Sequence, residues 1–144
     1  MGFKLKVFAE VKPTEDVEKV KMSILNIFPD ITLEEKDNEI IGYSEEENIL
    51  SRFIELVYSE AIRDSVNMVL KEGTRGTKIS FSMNKQAAFA GRVNLSKVSP
   101  LGALKVKIYA EDPYEFIDKI VPKTIWDNII KTLVTIFFDS TRLI

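Results

Sequence analysis

The chain has 144 residues, 45% hydrophobic and 29% charged, with a formal net charge of −2. That is ordinary globular usage, at a length that suits one domain burying roughly 70% of its unfolded surface. It contains no cysteine and no histidine, which excludes disulfides, thiolate metal sites and thiol nucleophiles and removes the commonest general base and metal ligand.

No cofactor and no metal is therefore expected, and the residue set favours a non-enzymatic protein. The opening Met1–Lys6 is too short and too charged for a signal peptide. No run reaches the roughly 18 apolar residues of a membrane span. The nearest, Ile125 to Ile144, is broken by Asp127, Lys131, Asp139 and Arg142. A cytoplasmic location with no membrane partner is the resulting expectation.

In chain order, Phe3 to Val11 alternates: Phe3, Leu5, Val7, Ala9 and Val11 share one face, and Lys4, Lys6, Phe8, Glu10 and Lys12 the other. That pattern predicts a half-buried strand. Pro13-Thr14-Glu15-Asp16 opens a helix with Thr14 as N-cap and acids in its first turn. Its stripe is Val17, Val20, Ile24, Leu25 and Phe28, and Pro29 ends it. A hairpin over Ile31–Glu35 and Ile40–Tyr43 turns at Asp37-Asn38. Helix follows from about Glu45 to Lys71, with a register change at Ser59-Glu60 and Gly73 as C-cap.

Thr77 to Met83 alternates with Ile79, Phe81 and Met83 inward. Asn84 to Ala90 reads as a connection with room for one helical turn, Val93 and Leu95 as a short strand, and Ser99-Pro100-Leu101-Gly102 as a turn. Leu104, Val106, Ile108 and Ala110 line a last strand. Asp112-Pro113-Tyr114-Glu115 is a strong helix start, with Asp at N-cap, Pro at N1 and Glu at N3. A final helix spans about Ile125 to Phe138. Strands separated by turns, mixed with helices, predict an α+β fold with a largely antiparallel sheet and helices on one face.

The small net charge conceals an asymmetry. Residues 1–60 carry 7 Lys+Arg against 14 Asp+Glu, residues 61–110 carry 9 against 2, and residues 111–144 carry 4 against 6. Alternation turns the basic middle into a surface. With Ile79, Phe81 and Met83 inward, Lys78, Ser80 and Ser82 point outward, as do Arg92 and Asn94, Lys105, Lys107 and Tyr109, and, from the first strand, Lys4, Lys6 and Phe8. One sheet face would thus carry six cations, with Phe8 and Tyr109 as candidate stacking rings. Arg63, Lys71, Arg75 and Lys85 would extend it, with Asn84 as a further polar contact. The alternative is a solvated face whose lysines oppose edge pairing, or one whose aromatics are covered.

Other groupings are weaker. Glu72-Gly73-Thr74-Arg75-Gly76-Thr77-Lys78 lacks the Gly-Lys-Ser/Thr ending of a phosphate loop and follows a helix, so a cap and turn explain it better. Glu34, Glu35 and Asp37, and Glu45 to Glu47, read as solvated or capping acids. Asn84 to Arg92 suits either a ligand-reading loop or a tightly packed connection. The wide apolar arc of the last helix suits either a buried core helix or a homodimer contact.

Ile62-Arg63-Asp64, Gly73-Thr74-Arg75-Gly76, Asn84-Lys85-Gln86-Ala87-Ala88-Phe89-Ala90-Gly91-Arg92-Val93-Asn94, Pro13-Thr14-Glu15-Asp16 with Ile27-Phe28-Pro29-Asp30, Ser99-Pro100-Leu101-Gly102 and Asp112-Pro113-Tyr114-Glu115-Phe116-Ile117 together resemble the archaeal uncharacterised protein family two hundred and one, over about residues 5–124. The resemblance implies a fold similar to the ribosomal protein that binds five-S RNA, no attached enzymatic activity, and RNA as the favoured partner. It assigns no functional residues. Fold analogy does not establish function, so the expectation is an RNA-binding or RNA-associated protein, with a homodimeric interaction module as the alternative.

Overall fold

Side-chain alternation sets the sheet, and the computed structural model describes it over residues 2–95 and 102–124, together with the isolated positions Leu133 and Ile136. The elements are β1 (Lys4–Glu10), α1 (Val17–Ile27), β2 (Thr32–Lys36), β3 (Glu39–Ser44), a 3₁₀ turn (Glu47–Leu50), α2 (Ser51–Ser59), α3 (Arg63–Glu72), β4 (Thr74–Arg75), β5 (Lys78–Asn84), α4 (Lys85–Phe89), β6 (Ala103–Tyr109) and α5 (Pro113–Ile120). The strands form one six-stranded sheet in the order β2-β3-β1-β6-β5-β4, every described pairing antiparallel. The fold is α+β, as the sequence predicts.

One face of the sheet is dry. Leu5, Val7 and Ala9 of β1, Ile79, Phe81 and Met83 of β5, and Leu104, Val106 and Ile108 of β6 are all buried. The helices lay their apolar stripes on it: Val20, Ile24 and Ile27 from α1, Phe53 and Val57 from α2, Val66 and Leu70 from α3, Phe116, Ile117 and Ile120 from α5. Phe53 stands between Phe28 and Phe81, with centroids 6.1 and 5.7 Å away, distances at which aromatic pairs attract beyond their buried area. On the opposite face Lys4, Lys6, Phe8, Lys78, Ser80, Ser82, Lys105, Lys107 and Tyr109 are all exposed or only partly buried.

Several local expectations are corrected. The first helix is capped by Asp16, which accepts from the Glu18 N–H at 3.0 Å, and not by Thr14. Residues 12–15 form a turn instead, with Glu15 N–H on the Lys12 carbonyl (2.9 Å) and Lys12 N–H on the Glu15 carboxylate (3.0 Å). Val93 and Leu95 are not in a strand: 92–95 is irregular, and Val93 is buried with its N–H on Glu60 at 2.9 Å. The helical turn for which Asn84 to Ala90 has room is present as α4, held against α1 by Asn26, whose amide donates to the Ala88 and Phe89 carbonyls. The helix expected over 125–138 lies outside the described residues except for Leu133 and Ile136, both helical and exposed.

The break between α2 and α3 comes at Ala61, whose φ of 56° is left-handed. A Cβ there costs about 1–2 kcal/mol. Ala61 is exposed, so Ala61→Gly removes that strain without opening a cavity, less the extra unfolded-state freedom of glycine. The expected result is a gain of about 0.5–1 kcal/mol, read as a higher urea midpoint at unchanged slope.

Candidate nucleic-acid interface

The open face is built by register. Lys6 lies opposite Lys107 and Tyr43, Phe8 opposite Lys105 and Ile41, and Lys4 opposite Tyr109. On the next strand, Lys78 lies opposite Tyr109, Ser80 opposite Lys107 and Ser82 opposite Lys105. Directly opposed residues share a face, so Lys4, Lys6, Lys78, Lys105 and Lys107 stand together around Phe8 and Tyr109. Among the described residues, none of these five lysines is in an ion pair.

The rings are not bare. Lys107 places its Nζ 5.3 Å from the Phe8 centroid, and Lys6 places its Nζ 5.9 Å from that of Tyr109. Both contacts run diagonally between β1 and β6, within cation–π range. Phe8 and Tyr109 are half-buried, and Tyr43 is exposed beside them. The Tyr43 hydroxyl donates to Glu45, which holds the phenol pKa above its usual value. The basic field ends toward β2, where Glu10 faces Glu39 across the β1–β3 ladder and Glu34 follows on β2.

The remaining predicted residues separate from this face. Arg75 comes onto its edge through β4, opposite Lys78, but its guanidinium donates to the Glu72 and Thr74 carbonyls at 3.0 and 2.8 Å. Arg63 and Lys71 belong to the helical layer: Arg63 stacks 4.5 Å over Tyr58, and Lys71 pairs with Asp118 at 2.8 Å. Asn84 caps α4, accepting from the Ala87 N–H at 2.9 Å. Arg92 is exposed, but on the irregular segment after α4 and not on a sheet strand.

Lys85 departs furthest from its expected outward role. It is only 4% exposed. Its Nζ donates to the Glu10 carbonyl at 2.7 Å and to both Glu15 oxygens at 3.1 and 3.2 Å. With these three oxygens around its ammonium group, Lys85 is a buried tie between α4 and the turn after β1. Burial alone would raise the Glu15 pKa, but the Lys12 N–H and Lys85 outweigh it and hold the carboxyl below its usual value. Nothing local in the sequence marks this pair, because the partners are 70 residues apart. Sequence reasoning also missed Tyr43 and Ile41, although the buried Ile40 and Gly42 between them carry the alternation that places them outward.

Among the described residues there is no cluster of three or more acidic side chains able to hold a metal ion, and no helix long and apolar enough to cross a membrane. What the open face offers is cationic and aromatic. Ammonium groups of this kind can hold phosphates, and rings of this kind can stack on bases.

A family model described as RNA binding matches residues 4–110. A UPF0201 protein of Thermococcus onnurineus is 39% identical over 124 residues, covering 83% of this chain and 92% of that one. The chain belongs to the UPF0201 family. A second UPF0201 protein, from Methanocaldococcus jannaschii, is 42% identical over 121 residues, covering 81% of this chain and 71% of its own. The solved structure of a UPF0201 protein from Methanococcus jannaschii superposes with a TM-score of 0.77 at 40% identity, covering 84% of this chain and 94% of that one. A DUF54 protein from Methanothermobacter thermautotrophicus, at 20% identity and a TM-score of 0.59, covers 82% of this chain and 96% of its own and shares the fold alone. The UPF0201 resemblance drawn from the motifs is thus borne out. The region matched by the RNA-binding model contains β1, β5 and β6, the strands that build the open face.

Proposed function

We propose that this protein binds RNA, without catalysis, through the open sheet face. The observation that carries the reading is the convergence of Lys4, Lys6, Lys78, Lys105 and Lys107 on one face with no carboxylate partner among the described residues. The match to a family model described as RNA binding supports it. A basic face in a chain of net charge −2 concentrates a polyanion locally, while the acidic remainder opposes wrapping. Lysines position phosphates, and rings supply contact to bases.

Fluorescence anisotropy with a labelled RNA tests this at rising salt. Log affinity should fall linearly with log salt, with a slope of about −3 to −4 when all five lysines meet phosphates of a single strand. Lys105→Glu combined with Lys107→Glu should lower affinity at least tenfold at low salt. Lys119→Glu, on the helical side and 68% exposed, should leave it unchanged. No retention at low salt, or equal loss in both variants, rejects the reading.

A further inference from the structure

We infer that the open face takes single-stranded RNA, with separate bases laid flat on Phe8 and Tyr109 and the backbone between them on Lys6 and Lys107. This rests on the RNA-binding reading and narrows its ligand.

The register supplies the geometry. Phe8 is opposite Lys105, and Tyr109 lies four residues further along β6, opposite Lys4. At about 3.3 Å per residue and 4.8 Å between strands, the two rings stand roughly 14 Å apart. Between them lies the opposed pair Lys6 and Lys107. The order along the face is therefore ring, two cations, ring.

Stacked bases of one strand repeat at about 3.4 Å along the helix axis, with their faces hidden against one another. A duplex presents base edges and phosphates to a sheet, not base faces. Rings about 14 Å apart on one surface are both used only when the bases are splayed out of their stack, as single strands and loops permit.

The lysines that would hold the backbone now cover the rings, at 5.3 Å for Lys107 on Phe8 and 5.9 Å for Lys6 on Tyr109. A phosphodiester arriving between the rings draws both ammonium groups toward itself and frees the ring faces for bases. Phosphate capture and stacking are thus one exchange, and a polyanion without bases makes only the first half of it.

The experiment compares a short oligouridylate, the blunt RNA duplex of equal length and inorganic polyphosphate, on the full chain. Oligouridylate should bind at least tenfold tighter than the duplex. Phe8→Leu and Tyr109→Leu should each weaken oligouridylate roughly tenfold and leave polyphosphate affinity unchanged. Phe8→Tyr and Tyr109→Phe, which keep the ring, should retain affinity and show through circular dichroism that the face still folds. Equal binding of single strand and duplex, or ring variants without effect while Lys105→Glu with Lys107→Glu loses affinity, overturns this inference and leaves the RNA-binding reading standing. Failure of both RNAs to bind overturns both.

Discussion

Lys85→Met is expected to destabilise the protein by about 3 kcal/mol. Removing one member of a buried pair strands the other, at a typical cost of about 3–5 kcal/mol. Here the Glu15 side chain is 15% exposed and keeps the Lys12 N–H, which places the effect at the low end. The Glu10 carbonyl also loses its donor. Glu15→Gln added to Lys85→Met removes the stranded charge and should recover part of the loss, measured by urea denaturation followed by circular dichroism.

The pair also sets a pH dependence. The Glu15 carboxyl is held below its ordinary value in the folded protein, so the folded state binds its proton less readily than the unfolded chain. Its stabilising contribution is present above the unfolded value and is lost as pH falls through the folded one. The gap between the wild type and Lys85→Met should therefore be widest near about pH 7 and narrow below about pH 4. An equal gap at both would show that Lys85 acts through packing alone.

Gly73→Ala is the second large effect. A Cβ at this position would lie 1.9 Å from the Ser80 carbonyl oxygen. The φ of −86° is open to any residue, so the constraint is the close approach of two backbones and not glycine's conformational freedom. Ser80 cannot retreat, because its N–H is bonded to the Gly73 carbonyl at 3.0 Å and its strand is paired with β6. The end of α3 must move, which disturbs the buried Leu70 and Val66. About 3 kcal/mol is expected, or roughly 6–12 °C in Tm for a chain of this size. Gly76→Ala serves as control: its φ is +61° with nothing within 4 Å of the added Cβ, so strain of about 1 kcal/mol is the whole cost.

The sequence was most legible where a single periodicity decided the outcome. In β1, β5 and β6 each apolar residue at every second position is buried, and the lysines between them reach one face as expected. The start of α5 follows from Asp112 and Pro113 alone. What stayed hidden was tertiary. A two-residue strand such as β4 has no period to detect, yet it brings Arg75 to the edge of the basic face. Alternation points Arg92 toward that face, but the chain there has left the sheet and the period no longer applies. Lys85 looks like any loop lysine until Glu15 and the Glu10 carbonyl are folded against it. Of the nine cations and amides expected to contact nucleic acid, Lys78, Lys105 and Lys107 stand on the open face without an ion pair among the described residues, while Arg75 reaches its edge with its guanidinium engaged.

The central position of the β1–β6 pair has a consequence for the growing chain. Lys6 and Phe8 are made well before their neighbours Lys107 and Lys105, which follow about a hundred residues later. Joining them closes the longest loop in the sheet, and contacts of high sequence separation form late and slowly. A nascent chain that has reached β5 can already hold the β2–β3 hairpin against β1, but it lacks Lys105 and Lys107 of the basic face. The proposed binding surface therefore arrives with β6, and no fragment that stops short of it carries the whole face.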